Sequence, residues 1–311
     1  KPFDPRLIAR IAPAVAKAAM DSGVATRPIA DLEAYAEKLT EFVYKTSLFM
    51  RPVFNQARKD IKRIVLTEGE DERVLHAAQQ VVSQKLAFPI LVGDAKLIEE
   101  RLHSQGLTIQ PGKDFELIDI KNSPYYEASW KEYYNLRKRS GVTEEMARRR
   151  LKANTTLVGA LLVRLGHADG LVCGTMGRFH DHFAVMEEVI GYNNPEKEAF
   201  AMNALISNKG NFFIADTYIN ENPTAEQLAN GTLMCAAEMK RIGLKPKVAL
   251  VSNSNYGSHC SPDARKMQRA LEIIRELDPT LEIDGEMQAD VALDETMRKS
   301  IFPETTLSGA A

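Results

Sequence analysis

Three cysteines in 311 residues, Cys173, Cys235 and Cys260, are too few and too far apart for a disulfide framework or a zinc site. They read as reduced thiols in a cytoplasmic protein. There is one tryptophan, and no apolar run approaches the length of a membrane span. Neither charge sign is in excess: 40 basic residues face 42 acidic ones, a net charge of −2. A nucleic-acid binder, which needs clustered lysine and arginine, is therefore disfavoured. Residue 1 is lysine and no signal-type segment follows, so the chain reads as a piece of something larger. Four catalytic or nucleotide-binding signatures are missing: H-E-x-x-H, G-x-S-x-G, G-x-x-x-x-G-K-[ST] and G-x-G-x-x-G. What remains is ordinary for a globular protein, with 44% hydrophobic and 26% charged residues. The length suggests about two domains.

Residues 1–60 differ from the rest. Leu7, Ile8, Ile11, Ala12, Val15, Ala16 and Ala19 form a helical apolar stripe that ends near Gly23. Leu32, Tyr35, Ala36, Leu39, Phe42 and Val43 mark a second helix over about 31–49. No strand is expected here, and two helices alone make a poor core. This segment reads as an adaptor that packs on another unit.

From Ile61 short β-rich runs alternate with amphipathic helices. Strands are expected at 63–67, 88–93, 115–120, 170–173, 212–217, 247–252 and 281–284. Helices are expected near 70–85, 95–105, 124–139, 144–166, 180–190, 224–241, 262–277 and 290–300, with a capping box at Thr224 and Gln227. This alternation predicts an α/β fold with a mostly parallel, doubly covered sheet. Phe212–Ala215 and Val248–Val251 are continuously apolar, as strands buried on both faces are. Ligands bind such sheets beyond the carboxyl ends of the strands, which draws attention to the polar residues there.

The segment Ser252-Asn253-Ser254-Asn255-Tyr256-Gly257-Ser258 follows an apolar strand and precedes a helix starting near Pro262. A glycine among consecutive hydroxyls lets backbone N–H groups approach an anion, so phosphate or pyrophosphate is the natural ligand. A solvated turn is the plain alternative. Gly174–His182 holds Thr175, Arg178, His180, Asp181 and His182. A His-x-His metal site is disfavoured, because residues i and i+2 diverge on a helix. That leaves a loop whose Arg178 meets a phosphate, or a solvated loop. Between Lys131 and Lys152 the local charge is +5. Either a solvated face or an anion or subunit contact accounts for it. Composition and periodicity stop at a phosphate-containing ligand in a parallel α/β cleft.

Several segments, in order, resemble the phosphate acetyltransferases: Arg63–Leu75, Ala168–Gly174, Phe213–Thr217, Val248–Ser258 and Ile283–Gln288. Lys1–Arg6 and Ala12–Ala25 resemble the end of the catalytic domain of bacterial multidomain, NADP-type malic enzymes. The resemblance implies an isocitrate-dehydrogenase-like α/β architecture in two subdomains, about 61–199 and 200–311, after a helical linker over 1–60. It implies a cleft for coenzyme A. Its contacts would come from Ser252, Asn253, Ser254, Asn255, Gly257 and Ser258, from Arg137 as a retained cleft arginine, and from Thr175, Arg178 and Asp216 at the strand ends.

The departures bear on activity. The transferases' His-Ser-Thr stretch is Gly177-Arg178-Phe179 here, and a cleft arginine of the family falls at Ala184. Their later Ser-Arg-Gly motif has no counterpart in these residues. The expectation is thus a regulatory domain that binds acetyl-CoA or CoA without turning it over. It would sit beside a malic enzyme domain that holds NADP and a divalent metal, and would carry no cofactor or metal of its own. It would assemble as a dimer or larger, away from nucleic acid and membrane. An active phosphate acetyltransferase and a purely structural oligomerisation domain are the alternatives.

Overall fold

A computed structural model describes residues 6–43, 45–207 and 210–311. The chain divides into two compact units, one of residues 54–197 and one of residues 1–53 with 198–311.

In the 54–197 unit four parallel strands, β1 (Lys62–Leu66), β2 (Ala87–Val92), β3 (Glu116–Ile118) and β4 (Gly170–Val172), lie in the order β3-β2-β1-β4. β1 pairs with β2 and with β4, so the strand order reverses at β1. Both faces of the sheet are covered. Val65, Ile90 and Val92 pack with Trp130, Leu157 and Leu161 on one side. Leu91 packs with Leu75, Ile98 and Phe115 on the other. The covering helices are α4 (Glu72–Ser83), α5 (Ala95–Ser104), α6 (Tyr126–Arg137), α7 (Glu144–Ala153), α8 (Thr155–Arg164) and α9 (Phe179–Val189). Gly159 of α8 lies so close to β1 that a Cβ there would meet Thr67 Cγ2 at 2.6 Å.

The single helix expected over 144–166 is in fact two. Asn154 ends α7 and caps α8, its Oδ1 accepting from the Leu157 N–H at 2.9 Å. A side-chain acceptor beside free N–H groups starts a new helix where apolar periodicity alone reads straight through.

The second unit opens with α1 (Arg6–Asp21) and α2 (Leu32–Val43), which pack on each other. The helix expected to end near 49 is replaced by α2 and by α3 (Lys45–Lys59), which has a half-buried stripe of Val53, Phe54 and Ala57 and whose residues from 54 on belong to the 54–197 unit. Lys1–Pro5 lie outside the described residues. β5 (Met202–Ser207) and β6 (Gly210–Ala215) form a two-stranded antiparallel ribbon. This corrects the expectation for Phe212–Ala215. These residues are not a buried parallel strand: a short apolar run does not specify its pairing, and here the partner is 202–207, outside the expected strands. β7 (Lys247–Val251) and β8 (Glu282–Met287) pair in parallel. They pack against α10 (Ala225–Arg241) and α11 (Pro262–Leu277) around Ala229, Leu250, Ile274 and Ile283. The segment expected as one helix over 290–300 is split at Asp294 into α12 (Ala289–Leu293) and α13 (Glu295–Ile301).

Candidate functional site

Polar groups gather at the carboxyl ends of the strands in both units. In the 54–197 unit they sit at the point of strand reversal between β1 and β4. Thr67 is fully buried, and its N–H donates to Val172 O at 3.2 Å. Its hydroxyl donates to Glu68 Oε2 at 3.0 Å, while Glu68 Oε1 accepts from the Gly174 N–H at 2.9 Å. Glu68 thus ties the loop after β1 to the loop after β4. Burial, aided by the Glu68 charge, pushes the Cys173 thiol up to about 11, so it is protonated and inert at neutral pH.

The expected residues of the second loop fall as follows. Thr175 is half-buried and its carbonyl accepts from Arg73 at 3.2 Å. Arg73 also forms a two-point pair with Asp71, whose carboxyl it holds down to about 2. Arg178 is 85% exposed and forks onto Asp181 at 3.0 and 3.1 Å. His182 lies between the Thr156 hydroxyl, 2.8 Å from Nδ1, and Met176 O, 2.7 Å from Nε2. A carbonyl only accepts, so Nε2 carries a proton. His182 and Thr156 brace the loop from within, a role that their sequence spacing does not reveal. Among the described residues no three His, Cys, Asp or Glu side chains group as metal ligands.

Arg137, at the end of α6, belongs to the same unit. It pairs with Glu188 at 3.5 Å, and Arg150 pairs with the same carboxylate at 3.0 Å. Arg150 also donates to the buried Tyr133 hydroxyl, which in turn donates to Glu188 at 3.4 Å. Two guanidiniums on one carboxylate leave a local surplus of one positive charge.

The other expected residues belong to the second unit. Asp216 adopts a left-handed backbone (φ 55°) just after β6 and accepts from Asn220 at 2.9 Å. The 252–258 loop follows β7 and is closed by Glu286 of β8. Glu286 is buried, and its Oε1 accepts from the Gly257 N–H at 2.7 Å and the Ser254 hydroxyl at 2.8 Å. The Tyr256 N–H donates to Glu286 O at 2.8 Å. Burial works to raise the Glu286 pKa, but these hydrogen bonds outweigh it and the net shift is downward. The carboxylate is therefore charged at neutral pH.

This changes the expectation for Ser254. It is fully buried, with its hydroxyl bound to Glu286 and accepting the His259 N–H at 3.1 Å, so it shapes the loop from inside. Ser252 Oγ accepts from the Ser254 N–H at 3.0 Å, and Ser258 Oγ from the Asn255 N–H at 2.9 Å. Asn255 Oδ1 accepts from the Gln288 N–H at 2.8 Å. Of the expected contacts, Asn253, Gly257 and Ser258 face solvent. Of the loop amides expected to cradle a phosphate, those of Ser254, Asn255 and Ser258 serve acceptors within the loop, and those of Ser252, Tyr256 and Gly257 serve β8. The signal for Glu286 is its place directly after the seventh expected strand, but its pairing with a loop 29 residues away is not readable from sequence.

Parallel strands between helices, with polar loops gathered beyond the carboxyl ends, define an α/β protein whose candidate site lies at the strand ends. The chain belongs to the phosphate acetyl/butaryl transferase family, whose model matches residues 48–311. It is 29% identical to the EutD phosphotransacetylase from Staphylococcus aureus, with a TM-score of 0.75 over 85% of this chain and 80% of that one. All 311 residues align with the NADP-dependent malic enzyme of Salmonella typhimurium at 55% identity. A phosphate acetyltransferase of Helicobacter pylori is 31% identical over 263 residues, 85% of this chain and 50% of that protein. The chain spans 41% of the length of the Salmonella malic enzyme.

Proposed function

We propose that this chain is a non-catalytic regulatory and assembly domain of a malic enzyme, and that it binds acetyl-CoA or CoA as an effector. In this reading the remainder of the malic enzyme holds NADP and a divalent metal and decarboxylates malate oxidatively to pyruvate. The three unpaired cysteines suit a cytoplasmic setting. Among the described residues no helix is long and apolar enough to cross a membrane.

The observation that carries the proposal is the state of the cations of the 54–197 unit. Arg178 is committed to Asp181, Arg73 to Asp71, and Arg137 and Arg150 share Glu188. Ala184, where the resemblance expects an arginine, is exposed on α9. Transfer of an acetyl group to phosphate needs donors aimed at charge that develops in the transition state, and one such donor is typically worth about 10²–10³ in rate. Committed cations supply little of this. They still suit effector binding: the surplus charge at Arg137 and Arg150 attracts a CoA phosphate, with Thr175 as a further contact of that unit. In the second unit, taken by itself, Asp216 and the outward atoms of Asn253, Asn255, Gly257 and Ser258 are the polar groups left at the strand ends. Occupancy reaches the malate site through whichever quaternary state acetyl-CoA prefers.

Membership of the transferase family favours a second reading, an active phosphate acetyltransferase. One pair of measurements decides. Calorimetric titration with acetyl-CoA should give micromolar binding, and a thiol-release assay with acetyl-CoA and phosphate should give no turnover. Robust turnover by pure protein establishes the transferase. Absence of binding reduces the domain to an assembly role.

A further inference from the structure

α1 is apolar on two sides. Ala12, Ala16 and Ala19 are half-buried, as are Leu32, Tyr35 and Leu39 of α2, on which α1 packs. On another face Ile11 stands three and four residues before Ala14 and Val15, and Ala18 four and three after them; all four are exposed, Ile11 by 53% and Val15 by 61%. Val24, just beyond the helix, is 70% exposed and adds to the apolar surface of this segment. A helix apolar on more than one side is normally buried, and an exposed stripe of this kind marks an interaction surface. The alanines at 14 and 18 would let another helix approach closely.

We infer that this stripe of α1 is a docking face for the part of the malic-enzyme polypeptide that lies outside these 311 residues, an inference that rests on the proposed function. The ranges matched in the comparisons point to that occupant. The transferase family model begins at residue 48, after both α1 and α2. The malic enzymes of Salmonella typhimurium and Escherichia coli instead align with the whole chain, α1 included, and roughly three-fifths of their length lies outside the match. The helix thus goes with the malic enzymes, and so does a large body of chain able to cover it. Charge argues against a second copy of this chain as occupant. Arg10 and Lys17 are exposed on α1, and Asp21 is its one acid, so two copies of the helix would bring like charges together.

Amide hydrogen exchange tests this on two proteins, the 311-residue chain and the malic-enzyme-length polypeptide that carries it. The amides of Ile11–Ala18 should exchange at least about tenfold more slowly in the longer protein. Val15→Asp in the longer protein should abolish that difference and leave the exchange of β1–β4 unchanged. Val15→Ala, which keeps the helix, should reduce it in part. Equal exchange of Ile11–Ala18 in the two parent proteins overturns the inference. So does protection that grows with concentration in the 311-residue chain, which assigns the stripe to a second copy. Acetyl-CoA titration of the 311-residue chain is read separately, so failure of the effector reading is distinguishable from failure of the docking face.

Discussion

Replacing Glu286 by glutamine tests whether an internal carboxylate holds the 252–258 loop. The amide side chain keeps an acceptor near the Gly257 N–H and the Ser254 hydroxyl but removes the charge from two short hydrogen bonds, 2.7 and 2.8 Å. Hydrogen bonds to charged groups contribute about 1.5–3 kcal/mol and neutral ones about 0.5–1.5. Two such exchanges, less the desolvation cost that a buried charge no longer incurs, come to about 2 kcal/mol. That is roughly a thirtyfold change in an equilibrium constant. The Gly257 amide should therefore exchange roughly thirtyfold faster in Glu286→Gln, with acetyl-CoA affinity falling by up to the same factor. The pH dependence has a definite sign. The folded pKa is depressed, so the stabilisation is complete above the ordinary glutamate value of about 4.3 and is lost as pH falls through the lower folded value. Protection at Gly257 should stay level from about pH 7 to 5 and decline only under more acid conditions. An unchanged Gly257 exchange rate in Glu286→Gln would refute the idea that the charge holds the loop.

Arg298 is fully buried and donates to the carbonyls of Val291, Ala292, Leu307 and Gly309, so Arg298→Met should strip four carbonyls at once. A loss of about 3–5 kcal/mol is expected in urea unfolding, with early proteolysis within 302–311; a loss under about 1 kcal/mol contradicts the role assigned to the arginine. Leu205 and Ile214 are each 51% exposed and share one face of the β5–β6 ribbon with half-buried Phe212. If that face joins two copies, light scattering should give a dimer or larger for the parent chain and a mass near 35 kDa for Leu205→Asp; a monomeric parent ends the proposal. Exposed Cys260 should react with a thiol reagent at neutral pH well before Cys173, whose thiol sits at about 11. Equal rates would show that the Cys173 environment is wrongly described.

Much of the architecture is legible in adjacent residues. The apolar run at 247–251 is β7, and the Thr224–Gln227 capping box closes as expected, at 3.2 and 2.9 Å. The Ser252–Ser258 segment could be placed after β7 because strand, glycine and hydroxyls are contiguous. These features rest on interactions within a few residues, which one stretch of sequence specifies. The partners of those segments are a different matter. Nothing near Ser254 announces that its hydroxyl meets Glu286, and nothing near Gly174 announces that its N–H meets Glu68, 106 residues earlier. Phe212–Ala215 has the composition of a central parallel strand yet lies in an antiparallel ribbon. A side chain's polarity sets which chemistry it can satisfy, but which distant group satisfies it depends on the packing of strands and helices. That packing, and no local signal, closed the 252–258 loop on Glu286 of the neighbouring strand.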